Sequence, residues 1–265
     1  MKKLPTLIML LLATPLYAAD FDVALKSGSQ TNLSDEGLFK AKSMPSFGDN
    51  LHVRPHAYTE NYVFCLDFPK SADNVYGFQS LSLDVESSLA LVLFIDGGTF
   101  KIEKDFVKNS QTQKEGDGVV AKGEHANIAM YPYYGDSAVD FKLNGNMELA
   151  DTALNRTPSA FFGAYTTSGE FRNKSFFEHF EISGDLILKN HKFAVATSKG
   201  KNAAIKGVVK FGGFSEKRTG ILVLNNDKNP EGRLANQTLK VGGLASLSEN
   251  AGIVSTITDA KKFVV

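Results

Sequence analysis

The sequence predicts a mainly β protein in two parts: a β-rich domain over residues 20–165 and a small C-terminal antiparallel eight-stranded β-barrel over residues 166–265. Three observations predict it. Short apolar or alternating runs recur along the chain, each bounded by Gly, Asn or Asp. The composition, with 23 Gly, 20 Phe and no Trp, suits closely spaced strands and tight turns. Capped, periodic helical stretches are few.

The elements follow in chain order. Residues 1–19 read as a signal peptide. Lys2 and Lys3 precede the apolar run Leu7–Leu12, and Leu16-Tyr17-Ala18-Ala19 supplies small residues for cleavage after Ala18 or Ala19. The apolar run is too short for a membrane anchor. No cysteine stands at the cleavage site, so export without a lipid anchor is expected. Asn32–Phe39 has the form of a short helix capped by Ser34. Tyr62–Phe68, Leu81–Val85 and Leu89–Ile95 read as strands, and Asp96-Gly97-Gly98 turns the last into Thr99–Ile102 as a hairpin. Asn109–Gly118 reads as an exposed loop, and Ala138–Leu143 alternates up to Asn144-Gly145.

Beyond Pro158 the alternation is cleaner. Leu186–Leu188 turns at Asn190-His191 into Phe193–Val195. Ile205, Gly207, Val209 and Phe211 face one way, with Lys206 and Lys210 the other. Ile221–Leu224, Leu239–Val241, Gly252–Val254 and Lys262–Val265 complete a set of short, turn-separated strands whose spacing fits a closed barrel.

Charge is balanced, 29 basic against 29 acidic residues, so no basic surface for nucleic acid is implied. The single cysteine, Cys65, lies in the apolar run Tyr62–Leu66; it excludes an intrachain disulfide and suits the core. No nucleophile elbow, zinc-protease motif, phosphate loop or cysteine pair is present, so no enzyme is expected. The five histidines carry the remaining signal. His52 and His56 flank Arg54-Pro55, ahead of Tyr58. His125 precedes Met130-Tyr131-Pro132-Tyr133-Tyr134. Histidine beside aromatic residues suits a flat apolar ligand with a metal centre, and haem fits that description. A cation such as Arg54 suits its propionates. His179 reads as a solvent-facing strand residue and His191 as a turn residue.

The run Ala203–Phe214, followed by Ser215-Glu216-Lys217-Arg218-Thr219-Gly220-Ile221-Leu222, resembles the barrel strands of the hemophilins. These are secreted bacterial hemophores whose barrel is similar to that of transferrin-binding surface lipoproteins. The resemblance implies a front "handle" domain that clamps haem b and a barrel that supports secretion. By it, His125 is the best match for an iron ligand, with His56 or His52 as a second, and Tyr58, Tyr131, Tyr133 and Arg54 line the macrocycle. It further implies a secreted monomer that draws haem from a haemoprotein such as haemoglobin. Export would use a Slam-type outer-membrane translocator, and delivery an outer-membrane haem receptor. A secreted effector of the same class that binds a host protein and no haem is the alternative.

Overall fold

Among the described residues of the computed structural model, every strand pair but one is parallel. The structure describes residues 18–25, 30–35, 37–39, 44–55, 62–84, 88–109, 127–133, 138–151, 157–163, 176–198, 201–215, 218–223 and 238–247. Residues 1–17 of the expected signal peptide lie outside these, as do the expected strands Gly252–Val254 and Lys262–Val265.

The chain runs through β1 (Asp20–Leu25) and β2 (Gln30–Asn32), then β3 (Asn50–Pro55) and β4 (Tyr62–Leu66). Next come β5 (Val75–Phe78), β6 (Ser80–Asp84) and β7 (Leu89–Leu93), then β8 (Gly98–Ile102), β9 (Phe106–Asn109) and β10 (Ile128–Pro132). The pattern repeats in β11 (Val139–Leu143), β12 (Met147–Ala150) and β13 (Ser159–Phe162), and in β14 (Phe180–Ile182), β15 (Leu186–Lys189) and β16 (Lys192–Val195). It ends with β17 (Asn202–Ser215), β18 (Arg218–Thr219), β19 (Ile221–Val223) and β20 (Thr238–Ser246).

Each strand pairs with its equivalent in the next coil, which makes the architecture a three-faced parallel β-helix. Face one is β1-β3-β6-β9-β12-β15, ending on the second half of β17. Face two is β5-β8-β11-β14, ending on the first half of β17, so the two join, with β18 and β20 also paired to β17, as one thirteen-stranded sheet. Face three is the separate seven-stranded sheet β2-β4-β7-β10-β13-β16-β19.

Alternation puts every second residue inside, and the parallel register stacks like positions into columns. Leu51, Leu81, Phe106, Met147, Leu186 and Val209 form one buried column. Tyr76, Phe100, Phe141 and Phe180 form another. Coil-to-coil spacing is that of hydrogen-bonded strands, about 4.8 Å, so the phenylalanines meet ring to ring. Phe141 stacks on Phe180 with centroids 4.6 Å apart.

The corner between faces two and one is built on glycine and Asx side chains. A Cβ on Gly184 would fall 2.5 Å from the Gly145 carbonyl oxygen, and one on Gly207 the same distance from that of Gly184. Only hydrogen fits at that stacking distance. Beside the glycines, Asp105 Oδ1 accepts from Asn146 N, Asn146 Oδ1 from Asp185 N, and Asp185 Oδ1 from Val208 N, at 2.7, 2.9 and 2.8 Å. This ladder satisfies backbone donors that the turn takes out of the sheets.

Several expectations change. The mainly β reading stands, but the antiparallel eight-stranded barrel is replaced by parallel coils. The Ala203–Leu222 run that suggested a barrel is β17, β18 and β19, with β17 crossing two faces. The expected boundary at 165/166 is spanned by the ladders β11–β14, β12–β15 and β13–β16, and one hydrophobic core continues through it. Neither expected hairpin forms. Leu89–Leu93 lies on face three and Gly98–Ile102 on face two, with Gly97 and Gly98 turning the corner at φ 74° and 99°. Leu186–Lys189 and Lys192–Val195 likewise part at Asn190, φ 53°. Ser34 caps no helix: it sits in a turn, its hydroxyl donating to Asp67, and Leu33 and Phe39 cover the end of the core. Phe39 meets Phe21 edge-on at 5.3 Å.

Candidate functional site

The predicted residues divide into three groups. His52 and Arg54 project from the outer side of face one on β3. His52 Nδ1 lies 3.0 Å from Asp22 Oδ1 on β1, and its Nε2 lies 2.9 Å from Asp84 Oδ2 on β6. Both ring nitrogens therefore point at carboxylate acceptors on the two flanking strands. Arg54 Nη2 stands 2.9 Å from the same His52 Nδ1, so the ring is tied across three coils and to its neighbour on β3. Arg54 covers the same cluster, with Nη2 3.6 Å from Asp22 Oδ1 and Nε 3.9 Å from Asp84 Oδ2.

Tyr131 and Tyr133 stand two residues apart at the exit of β10. Tyr133 is exposed and stacks on Phe94 at 4.1 Å and 19°. His56, Tyr58 and His125 lie outside the described residues. The described ends of the segments that carry them are informative. His56 and Tyr58 belong to the connection from β3 to β4, and His125 to that from β9 to β10. Strands β3, β6 and β9 are neighbours on face one, and β4, β7 and β10 are neighbours on face three. Both connections therefore leave and rejoin the solenoid along one edge, two coils apart, a rise of about 10 Å.

That edge borders an unusual surface. The outer row of face three reads Val63, Ala90, Ala129, Phe161 and Ala194 in register across five strands, without a charge. The outer side of face two is instead laced with ion pairs. Glu181 accepts from Lys206 at 2.8 Å, and that hydrogen bond holds its carboxyl below the ordinary range. Lys201 does the same for Glu178 at 2.6 Å, and at the corner towards face one Lys210 does so for Asp185 at 2.6 Å. Such surface pairs contribute little stability each, but they keep that face wet. Cys65, in register with Val92 and Tyr131, is buried; desolvation, then the charges of Asp67 and Asp35, push its thiol up to about 11. It is a packing residue, as expected, and a poor thiolate. His179 is exposed as expected, its Nδ1 2.9 Å from Asp140 Oδ1. Among the described residues no group of three or more His, Cys, Asp or Glu side chains is placed to hold a metal ion.

Sequence reasoning missed an interior polar cluster. Lys108 and Asp151 are buried and paired, Nζ donating to Oδ2 at 2.7 Å. Asn190 Nδ2 donates to the Asp151 carbonyl at 3.2 Å, and Thr157 Oγ1 donates to Asn190 Oδ1 at 3.2 Å. His191, expected in an exposed turn, is wholly buried. The Asn190 corner takes so few residues that His191 keeps the inward parity of Phe193 and Val195. Its Nδ1 lies 3.0 Å from the Lys192 carbonyl oxygen and donates to it, while Nε2 has no hydrogen-bond partner.

Burial first, then the Lys108 charge, push the His191 pKa well below its ordinary 6.5. The folded protein holds His191 neutral where the unfolded chain protonates it. Below pH ~6.5 the unfolded state thus binds more protons, so stability falls with falling pH, by about 1.4 kcal/mol per unit. Denaturant unfolding of His191→Leu is expected to lack this part of the acid-side slope. An unchanged slope would place the acid sensitivity elsewhere.

No family model, curated protein or solved structure matches this chain.

Proposed function

We propose that this chain is an exported haem-binding carrier that holds its ligand outside the solenoid. The site lies along the edge between faces one and three. The observation that supports the reading is topological. The connections carrying His56, Tyr58 and His125 spring from one edge of a parallel stack, although they are far apart in sequence. That edge adjoins the uncharged row from Val63 to Ala194, with Tyr131 and Tyr133 further along the same face. A macrocycle needs a flat apolar support and one or two axial imidazoles. Arg54, one residue before the end of β3, stands near enough in the chain to meet a propionate.

The test is a haemin titration of the mature protein, followed by visible absorbance. A saturable shift at one haem per chain is expected, abolished in His125→Ala, weakened in His56→Ala and unaltered in His52→Ala. No saturable shift, or a shift indifferent to His125, would end the haem reading. The uncharged row itself favours a second reading, a secreted effector that binds a host protein there and takes no haem. Phe161→Glu would then abolish capture of a serum protein.

A further inference from the structure

Lys108 occupies a position built for hydrocarbon. In register on face one the inward column is Val53, Leu83, Lys108, Leu149, Leu188 and Phe211, and every other member is apolar and buried. The Lys108 and Asp151 side chains are 0% and 1% exposed. Nζ stands 2.7 Å from Asp151 Oδ2 and 3.5 Å from the Ala150 carbonyl. Asp151 is fixed by its neighbours: its N–H donates to the Lys189 carbonyl at 3.0 Å, and its own carbonyl accepts from Asn190. An amine and a carboxyl group are thus held in contact in an apolar interior. Such positioning is what turns a slow bimolecular reaction into a feasible intramolecular one.

We propose that Lys108 and Asp151 condense in the folded protein to an intramolecular amide, joining Nζ to Cγ. The reaction balances without any co-reactant. The ammonium gives one proton to the carboxylate across their hydrogen bond, leaving a neutral amine and a neutral acid. An apolar interior favours this neutral pair over separated charges. Burial indeed drives the Lys108 pKa down, against the opposing pull of Asp151. The Nζ lone pair attacks Cγ, the bond from Cγ to the protonated oxygen breaks, and nitrogen loses a second proton to that oxygen, which departs as water. His191, next in the chain to the Asn190 that holds the Asp151 carbonyl, is buried with its Nε2 unpartnered. The product ties strand β9 to the corner after β12, on the adjacent coil. With Cys65 as the only cysteine, no intrachain disulfide can supply a comparable link.

Intact-mass spectrometry of the purified mature protein under denaturing conditions tests this directly. The protein is expected to be lighter than its sequence by one water. A tryptic digest is expected to lack the free Lys108 and Asp151 peptides and to contain one branched peptide joining them. Lys108→Arg is expected to restore the full mass. A wild-type protein at full mass, with both linear peptides present, overturns the proposal whatever the variants do. So does a water loss that maps elsewhere or persists in Lys108→Arg.

Discussion

Replacing Phe141 by Ala is expected to destabilise the fold by about 3–5 kcal/mol. The side chain is buried, and its ring is surrounded by rings from its own coil and the two flanking it. Phe180 stacks on it at 4.6 Å, Phe162 and Phe177 meet it edge-on at 5.4 and 5.6 Å, and Phe100 lies at 6.2 Å. Phe162 comes from face three, so the cluster joins opposite walls of the solenoid. The gap cannot close cheaply. Strand β11 is hydrogen-bonded on both sides, to β8 and β14, and the ladders fix the coil spacing. The control is Phe161→Ala, one residue from Phe162 on the half-exposed outer side of β13, where a loss below about 1 kcal/mol is expected. Denaturant midpoints at unchanged m-value measure both. Equal losses would show that interior packing is not what holds the coils together.

What could be read from the sequence follows from what alternation encodes. Alternation fixes which side of a strand is buried. Hence Ile205, Val209 and Phe211 were correctly assigned to one face and Lys206 and Lys210 to the other, and β-rich structure was legible throughout. It does not encode the direction of the partner strand. A Gly-Gly or Asn-His turn between two apolar runs reads as a hairpin, yet the same residues turn a solenoid corner, where each run finds its partner a coil away. Register partners betray the repeat only when evenly spaced, and here they are not: Leu186 and Val209 stand much closer in sequence than Phe106 and Met147. The same uneven coils hid which connections share an edge, because those from β3 to β4 and from β9 to β10 leave neighbouring strands through stacking rather than sequence proximity. Lys108 was legible in principle. It shares parity with Phe106 in β9, but four residues are too few to override the expectation that lysine faces water.

Asp151→Ala is expected to be as damaging as the loss of a core phenylalanine, and to be the more diagnostic change. It leaves Lys108 buried without its partner, which costs about 3–5 kcal/mol at neutral pH. The cost has a ceiling, because the amine can shed its proton; neutralising a lysine of ordinary pKa ~10.4 at pH 7 costs about 5 kcal/mol. The sign of the pH dependence follows. Burial already lowers the Lys108 pKa, and Asp151 is the group that opposes the shift. In the variant the folded state holds the neutral amine while the unfolded state binds a proton. Stability therefore rises with pH, by about 1.4 kcal/mol per unit, until the unfolded lysine titrates near 10.4. Lys108→Met combined with Asp151→Leu removes both charges, and is expected to abolish that slope and recover the electrostatic loss. It cannot recover a covalent link. Lys108 and Asp151 are 43 residues apart, and closing a loop of that length contributes about 4 kcal/mol on the chain-entropy account. A double variant well below wild type is the stability signature expected of the Lys108–Asp151 amide. A double variant level with wild type would mean that the pair is ionic and no more.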